Sequence, residues 1–338
     1  MSEITFAGAA YQGGAGESVL DVLLREGAEV PYSCRKGTCL TCVLVATEGD
    51  VPGEANQVLK PTEREQGLFL PCQCPADRDL AVELPGRATI FGRATVQDKA
   101  QVAPDVCCVR IRPANDLYYH AGQFINLQRA DGLSRSYSLA SVPSLDRDLE
   151  LHVRRLAGGA MSGWIFDTLQ VGDELDIQGP LGSSYYQPGR GEQNMLLIGT
   201  GTGLAPLYGI ARDALASGHQ GSIALYHGSR EPDGIYLRDE LCSLSAEYAT
   251  FSYFPCISGD SAPQDFRRGR ADVLALADHP KLEGWLVYLC GYPPMVHAAK
   301  KTAFLSGAAL ADIHTDPFDL KDLRTTPRDG EVEQPDVW

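Results

Sequence analysis

The sequence lacks an apolar run of the roughly 20 residues that a membrane-spanning helix needs. Its first residues, MSEITFAGAAYQGG, show neither the basic nor the apolar segment of a secretory signal peptide. Basic residues are few, since 29 Lys and Arg face 44 Asp and Glu, which gives a net charge of −15. This surplus of acid disfavours nonspecific binding to nucleic acid or anionic lipid and suits a basic protein partner. We therefore expect a cytoplasmic monomer that binds neither nucleic acid nor membranes.

Cysteine, in contrast, is plentiful. A chain of 338 residues has room for two or three domains. Without an export signal, its cysteines are expected to be thiols or metal ligands and not a disulfide framework. Half of them fall within residues 34–74, as a metal site would require, and the last five are expected in the core, with Cys290 considered separately below. The ten cysteines occupy positions 34, 39, 42, 72, 74, 107, 108, 242, 256 and 290.

The first three cysteines, Cys34, Cys39 and Cys42, follow the pattern C-x4-C-x2-C, and Cys72 comes after 29 intervening residues. This is the spacing of plant-type 2Fe–2S ferredoxins. A short loop can wrap three thiolates around such a cluster while its peptide N–H groups point at the sulfurs. Gly37 permits the close approach that this loop requires. The spacing therefore predicts an iron–sulfur site.

Two alternatives bear on this site. Structural zinc sites favour paired C-x2-C knuckles, which this pattern does not show. The 29-residue interval favours Cys72 as the fourth ligand and makes Cys74 a spare thiol, although the sequence does not exclude a switch between them.

The chain divides by its hydrophobic patterns into three predicted domains and a tail. Residues 1–87 combine strands at Ile4–Phe6, Val43–Val45 and "LAVEL" with one helix between Ser18 and Gly27 and a helical turn from Pro61, which suggests an α+β β-grasp. Residues 88–190 contain many short strands and one helix-like stretch, 162–169, which predicts an antiparallel β-barrel. Residues 191–318 alternate strands with helices near 205–216, 236–248, 271–278 and 293–306, which predicts an α/β domain with a parallel sheet. Residues 319–338 form a polar tail.

A glycine-rich turn follows the first strand of the third domain. Gly199, Gly201 and Gly203 lie between that strand and a helix, where small residues let a backbone approach a pyrophosphate. Leu204 occupies the place of the last glycine in G-x-G-x-x-G, so the ordinary dinucleotide fingerprint is not met. A tight structural turn remains the alternative.

A second group, Arg135-Ser136-Tyr137-Ser138, combines a possible phosphate clamp with a tyrosine and serines that suit a flavin. Downstream, residues 158–162 open a helix and could bind another anion. Alone, each of these signals is weak.

Together, the order of these motifs over about residues 1–318 resembles the NADH-dependent reductases of multicomponent oxygenases, such as those serving benzoate, naphthalene and soluble methane oxygenases. In that family an N-terminal ferredoxin precedes a flavin barrel and a pyridine-nucleotide domain of the ferredoxin-reductase type. The resemblance implies electron transfer from NADH to FAD, then to the 2Fe–2S cluster, and on to a terminal oxygenase component. The flavin belongs in the middle because it accepts two electrons and releases them singly.

The resemblance also implies roles for individual residues. The cluster ligands would be Cys34, Cys39, Cys42 and Cys72. The R-x-Y-S flavin motif corresponds to Arg135, Ser136, Tyr137 and Ser138, and the G-x-x-S pyrophosphate element to Gly159, Met161 and Ser162. The nucleotide loop comprises Gly199, Gly201, Thr202, Gly203 and Pro206, and the C-G-x-P-x-M segment Cys290, Gly291, Pro293 and Met295. The family's acidic-x-aromatic end is found at Asp316 and Phe318.

Three of these residues would act in the reaction. Ser138 would lie near the flavin N5, Cys290 near the nicotinamide carbon, and Asp316 would help order the nicotinamide, with a surface acid as the alternative. Thr200 and Leu40 replace glycines that are usual in the family, and we expect them to tune loop geometry without loss of binding.

NADH should be preferred over NADPH, because Gly259 stands where a phosphate-binding arginine would be. Asp260 follows it, and either Asp260 or Asp233 could accept a ribose hydroxyl. Arg230 is the contrary signal, with Glu231 and Asp233 as competing ion-pair partners.

The downstream acceptor could also be a deoxysugar dehydrase, a desaturase or a free ferredoxin. A non-catalytic redox sensor is the opposing hypothesis, and it leaves the flavin and nucleotide motifs unexplained.

Overall fold

A computed structural model describes residues 2–59, 63–64, 67–85, 91–260 and 263–318. Most of the predicted turn from Pro61, the predicted boundary at 87/88 and the tail from 319 lie outside these residues. The chain forms two compact units, which are described separately. The first comprises residues 1–93, 126–136 and 175–182, and the second comprises residues 94–125, 137–174 and 183–338.

The N-terminal part of the first unit contains a five-stranded sheet and helix α1 (Val19–Arg25). In space the strands follow the order β2-β1-β5-β3-β4. β1 pairs in parallel with β5, whereas β1 with β2, β3 with β4 and β3 with β5 pair antiparallel. The strands are β1 (Glu3–Phe6), β2 (Ala9–Gln12), β3 (Leu44–Glu48), β4 (Leu68–Phe69) and β5 (Leu80–Glu83).

Helix α1 begins where the sequence predicts it. The Ser18 hydroxyl accepts from the Asp21 backbone N–H at 3.2 Å, and the Asp21 carboxylate accepts from the Ser18 N–H at 3.0 Å. This capping box satisfies N–H groups that the first helical turn leaves unpaired. The helix ends before Gly27, whose φ of +78° suits a residue without a side chain. Its buried residues, Val19, Leu20, Val22 and Leu23, face the core of the sheet.

The middle of the chain supplies six further strands and helix α2 (Ala160–Asp167), which starts two residues before the predicted stretch. In the second unit, β7 pairs antiparallel with both β6 and β10. In the first unit the order is β11-β8-β9. These strands are β6 (Gly92–Ala103), β7 (Val106–Pro113), β8 (Phe124–Gln128), β9 (Ser134–Ser138), β10 (Leu149–Arg154) and β11 (Glu174–Leu181).

The second unit also contains a six-stranded parallel sheet in the order β15-β14-β13-β12-β16-β17. Ligands of such sheets bind at the carboxyl ends of the strands. The strands are β12 (Met195–Thr200), β13 (Ile223–Ser229), β14 (Phe251–Ile257), β15 (Arg267–Arg268), β16 (Leu286–Gly291) and β17 (Ile313–Pro317). The helices among them are α3 (Leu204–Ala216), α4 (Arg238–Glu247), α5 (Ala271–Asp278) and α6 (Pro293–Leu305).

One cysteine expectation is wrong. Cys242 is exposed, while Cys107, Cys108 and Cys256 are buried as expected, and Cys290, for which a separate role was expected, is buried as well. Cys242 lies on helix α4, in which Leu241 is the one buried residue. The other side chains of this helix, including that of Cys242, are at least partly accessible to water. None of the described helices is both long enough and apolar enough to cross a membrane.

Candidate cluster, flavin and nucleotide sites

The four predicted ligand thiols lie together in two hydrogen-bonded pairs. Hydrogen bonding from Cys39 lowers the pKa of the Cys34 thiol, and hydrogen bonding from Cys42 lowers the pKa of Cys72. The pKa values of Cys39 and Cys42 are correspondingly raised by the same contacts and by burial. Two thiols are thus favoured as thiolates, the form that binds metal.

The loop that carries three of these thiols is shaped to surround them with N–H groups. The Cys34 sulfur accepts from the backbone of Lys36 at 3.3 Å and of Cys39 at 3.4 Å. Gly37 has a φ of +77°, and a Cβ there would lie 2.7 Å from the Gln73 side chain. Gly37 therefore lets the loop pack closely against the residue that follows Cys72. Soft sulfur donors ringed by backbone N–H groups fit a 2Fe–2S cluster, which carries negative charge on its sulfurs.

Cys74 is not part of this arrangement. It is fully buried in the core beside α1, and its thiol donates to the Pro75 carbonyl at 3.8 Å. Burial raises its pKa to about 11, which disfavours the thiolate.

A second constellation joins β9 to the carboxyl edge of the parallel sheet. The Ser138 hydroxyl donates to the Asp316 carboxylate at 2.8 Å. Asp316 is the direct register partner of Cys290 on the neighbouring strand. Burial raises the pKa of Asp316 to about 6, against the lowering effect of the Ser138 hydrogen bond. The structure therefore brings together the three residues that the family resemblance assigns to the reaction, and Asp316 is half-buried and not a plain surface acid.

The remaining flavin residues are placed as follows. Arg135 is half-buried, and its guanidinium donates to the Ser134 carbonyl at 2.7 Å, while Tyr137 is also half-buried. Gly159 is the N-cap of α2, and the Ser162 hydroxyl accepts from the Leu156 N–H at 3.1 Å. A cleft of about 450 Å³ is lined by Asp105, Arg155, Leu156, Ala157, Gly158, Gly159 and Gly163.

The glycine loop is packed so closely that side chains are excluded. A Cβ at Gly203 would lie 2.5 Å from the Cys290 carbonyl oxygen, and one at Gly199 would lie 2.7 Å from the Leu207 side chain. Gly201 has a φ of +53°. A cradle of this kind, leading into the N-terminus of α3, fits a pyrophosphate. Several predicted nucleotide-site or flavin-site residues are buried and shape the surrounding turns, namely Met161, Thr202, Pro206, Pro293 and Met295.

Thr200 has a role that a glycine could not have. Its hydroxyl accepts from the Tyr292 N–H at 3.1 Å and so joins the glycine loop to the start of α6. Gly291 accommodates this contact with a φ of +111°, and the Phe318 N–H donates to its carbonyl at 2.8 Å. The expected change in loop geometry therefore has a physical basis.

His227 is a residue that the motif analysis missed. It is fully buried at the end of β13, and its Nε2 lies 3.2 Å from the Gly201 carbonyl oxygen. Burial lowers its pKa to about 4, so the ring is neutral at physiological pH and supports the glycine loop. In the sequence, the sign of this role is the place of His227 near the end of the strand "SIALYHG", the next strand after the glycine turn.

The predicted ribose side lies at the ends of β13 and β14. The Gly259 N–H donates to the Arg230 carbonyl at 2.9 Å, so the two loops are adjacent. Asp233 and Asp260 are both exposed. Arg230 is exposed too and takes part in none of the ion pairs found within the described residues, so the expected pairing with Glu231 or Asp233 is not observed.

Cys108, Glu150 and His152 form a buried group with metal-ligand chemistry. Its polar atoms already have partners, because Glu150 accepts from Arg110 at 2.8 Å, and His152 contacts Glu150 and Tyr236 at 3.0 Å. This arrangement is a satisfied hydrogen-bond network.

Comparison with known proteins accounts for most of the chain. Residues 6–77 match the 2Fe-2S iron-sulfur cluster binding domain, residues 93–186 the oxidoreductase FAD-binding domain, and residues 197–301 the oxidoreductase NAD-binding domain. With the observed sheets, these matches confirm the predicted fold class and the predicted cofactor types, a 2Fe–2S cluster, FAD and a nicotinamide nucleotide.

Similar proteins extend over nearly the whole length. The chain is 38% identical over 315 residues to the reductase subunit of an aromatic O-demethylase from Amycolatopsis, covering 90% of this chain and 94% of that protein. It is 33% identical to the ferredoxin–NAD(P)(+) reductase component of naphthalene dioxygenase and salicylate hydroxylase systems from Ralstonia, covering 90% and 94%. The crystal structure of an Amycolatopsis cytochrome P450 reductase superposes with a TM-score of 0.67 at 36% identity, covering 94% and 99%.

Proposed function

The chain belongs to the family of flavin- and iron–sulfur-containing reductase components of oxygenase systems, and from this premise we propose that it transfers electrons from NADH to a terminal oxygenase component. The observation that carries the proposal is the hydrogen bond from Ser138 to Asp316, because it links the flavin motif to the nucleotide-sheet edge beside Cys290.

Each part of the chain has a defined task in this function. A bound FAD would supply the change from two-electron to one-electron transfer that joins NADH to an iron–sulfur cluster. Cys34, Cys39, Cys42 and Cys72 would hold the cluster. The glycine loop, which leads into the N-terminus of α3, would bind the nucleotide pyrophosphate, and Asp316, with a pKa of about 6, would hold or release a proton beside Ser138.

Reconstitution tests the proposal. The purified protein should reduce cytochrome c rapidly with NADH, and it should support NADH-dependent product formation when mixed with the correct oxygenase component. A protein that binds the cluster and flavin but reduces no acceptor would contradict the proposal and support the redox-sensor alternative.

The similarity to a cytochrome P450 reductase favours a specific second candidate, in which the electron acceptor is a cytochrome P450, a heme-containing monooxygenase. Parallel assays with a P450 and with a non-heme aromatic-ring oxygenase distinguish the two acceptors. A free ferredoxin, a desaturase or a deoxysugar dehydrase would be identified as acceptor if only that protein turned over.

We expect kcat/KM to be at least about 10-fold higher for NADH than for NADPH, since Gly259 has no side chain with which to bind a 2′-phosphate and the exposed Asp260 would repel one. Steady-state kinetics with both nucleotides measures the ratio. Because Arg230 is exposed beside Gly259, Arg230→Ala is the decisive variant. A preference for NADPH that disappears in Arg230→Ala would contradict the assignment, and Arg268→Ala, on the exposed strand β15, is the matched control.

We also propose that the protein is a cytoplasmic monomer. The support is its net charge of −15, which disfavours self-association, and its ten cysteines outside disulfides, which suit a reducing compartment. Light scattering coupled to gel filtration tests the monomer.

A further inference from the structure

Asn126, on β8, is a fully buried amide with an unusual set of partners. Its Nδ2 donates to the carbonyl of the ligand residue Cys39 at 2.6 Å and to the Gln178 Oε1 at 2.7 Å. Its Oδ1 accepts from the Ser136 hydroxyl at 2.7 Å. Burying a polar side chain is unfavourable unless it is hydrogen-bonded, and here both N–H donors and the oxygen are used. The site is therefore specific for an amide.

Gln178, on β11, completes the contact with the cluster loop. It is buried, and its Nε2 donates to the Leu40 carbonyl at 3.4 Å. The carbonyls on both sides of the Leu40 Cα thus accept hydrogen bonds from two adjacent strands. All four residues of this contact belong to the first unit.

Leu40 explains why such a contact is needed. Its φ is +53°, in the left-handed region that is unfavourable for a residue with a branched side chain. Strained backbone of this kind persists when surrounding contacts fix it. The turn also places Cys39 and Cys42, on either side of it, at their positions in the thiol cluster.

We propose that Asn126 and Gln178 are positioning residues that form an amide clasp on the Cys39–Leu40 turn and hold the cluster-binding loop against β8 and β11. Through Ser136, the clasp also joins the loop to the flavin motif. The clasp itself follows from the contacts, while its effect on electron transfer rests on the proposed function.

Hydrogen exchange in the full-length holoprotein tests the clasp without reference to activity. In Asn126→Leu, the backbone amides of residues 40–43 should exchange about tenfold faster than in the wild type, the scale of one lost buried hydrogen bond. Gln128→Leu is the matched control, because Gln128 is a buried amide on the same strand, and within the described residues its Nε2 donates only to the nearby Gly132 carbonyl, at 3.5 Å. Equal exchange at residues 40–43 in Asn126→Leu and the wild type would overturn the clasp.

Stopped-flow mixing with NADH under anaerobic conditions tests the positioning. In Asn126→Leu, cluster reduction should slow about tenfold more than flavin reduction does, and this ratio of rates separates the effect from damage to the flavin or nucleotide site. Asn126→Asp should behave like Asn126→Leu, since a carboxylate still accepts from Ser136 but cannot donate to the Cys39 carbonyl.

Rescue distinguishes positioning from a merely structural role. Leu40→Gly removes the need for the clasp, so in the Asn126→Leu background it should restore both the slow exchange and the cluster reduction rate. If Asn126→Leu does not fold, Gln178→Leu serves as the second variant, with the same expected direction. Cluster reduction that is unchanged in every clasp variant would overturn the positioning role. A wild type whose cluster is not reduced by NADH would instead refute the proposed function, and the exchange experiment would still decide the clasp.

Discussion

Cys72→Ser is expected to yield protein without bound iron or labile sulfide, whereas Cys74→Ser should retain both. The Cys72 thiol contacts Cys42 and also receives a hydrogen bond from the Gln73 side chain, and its lowered pKa favours the thiolate. The Cys74 thiol is in the core, donates to a carbonyl and has a raised pKa. A serine hydroxyl is a poor substitute for a soft thiolate ligand of iron.

Iron and sulfide analysis per chain, normalised to bound flavin, measures this difference. Flavin content is the internal control, because it shows that the rest of the variant protein is folded. The same loss is expected for Cys34→Ser, Cys39→Ser and Cys42→Ser. Loss of the cluster in Cys74→Ser with retention in Cys72→Ser would show that the fourth ligand is misassigned. Stoichiometric zinc without sulfide in the wild type would refute the iron–sulfur site altogether.

Much of the site was predictable because its signals are local. Three cluster thiols lie within nine residues, and the glycine turn joins a strand directly to a helix, so the spacing alone restricts the chemistry. Helices α3, α5 and α6 were predicted within one residue of their observed ends because short, largely apolar strands alternate with helical stretches in this part of the sequence. The packing around Gly203 gives the physical reason for the glycine pattern.

The parts that were not predicted depend on tertiary pairing. The short strands β2, β4, β15 and β17 carry little periodicity of their own and are defined by their neighbours in the sheets. The clasp links residues 87 and 138 positions apart, and no sequence motif marks Asn126 or Gln178. Leu40 and Thr200, which replace family glycines, illustrate the same limit, since each is stabilised by a distant partner.

Asp316→Asn is expected to lower kcat/KM for NADH by about 10-fold, because the Ser138 hydroxyl then donates to a neutral amide oxygen and the hydrogen bond loses its charge assistance, a difference of about 1–1.5 kcal/mol. In the wild type, kcat/KM should rise with pH through an apparent pKa near 6. The ionised Asp316 carboxylate is the active form, and burial raises its pKa to about 6. The variant has no ionisable group at this position, so this pH dependence should disappear. Ser138→Ala should instead move the apparent pKa upward, since the Ser138 hydrogen bond lowers the pKa of Asp316. Kinetics with NADH between about pH 5 and 8 measures all three proteins.

Thermal stability gives an independent check, with the opposite sign to activity. The folded state holds the Asp316 proton more tightly than the unfolded chain does, so the wild type loses stability as pH rises from about 4 to about 6. Asp316→Asn lacks this loss, and its Tm relative to the wild type should therefore increase over that interval. Asp312→Asn is the control, and it should not show this increase. Arg190 lowers the pKa of Asp312, and the Asp312 carboxylate is outside the contact between Ser138 and Asp316. A kinetic pKa near 6 that persists in Asp316→Asn would assign the titration to another group and remove Asp316 from the reaction.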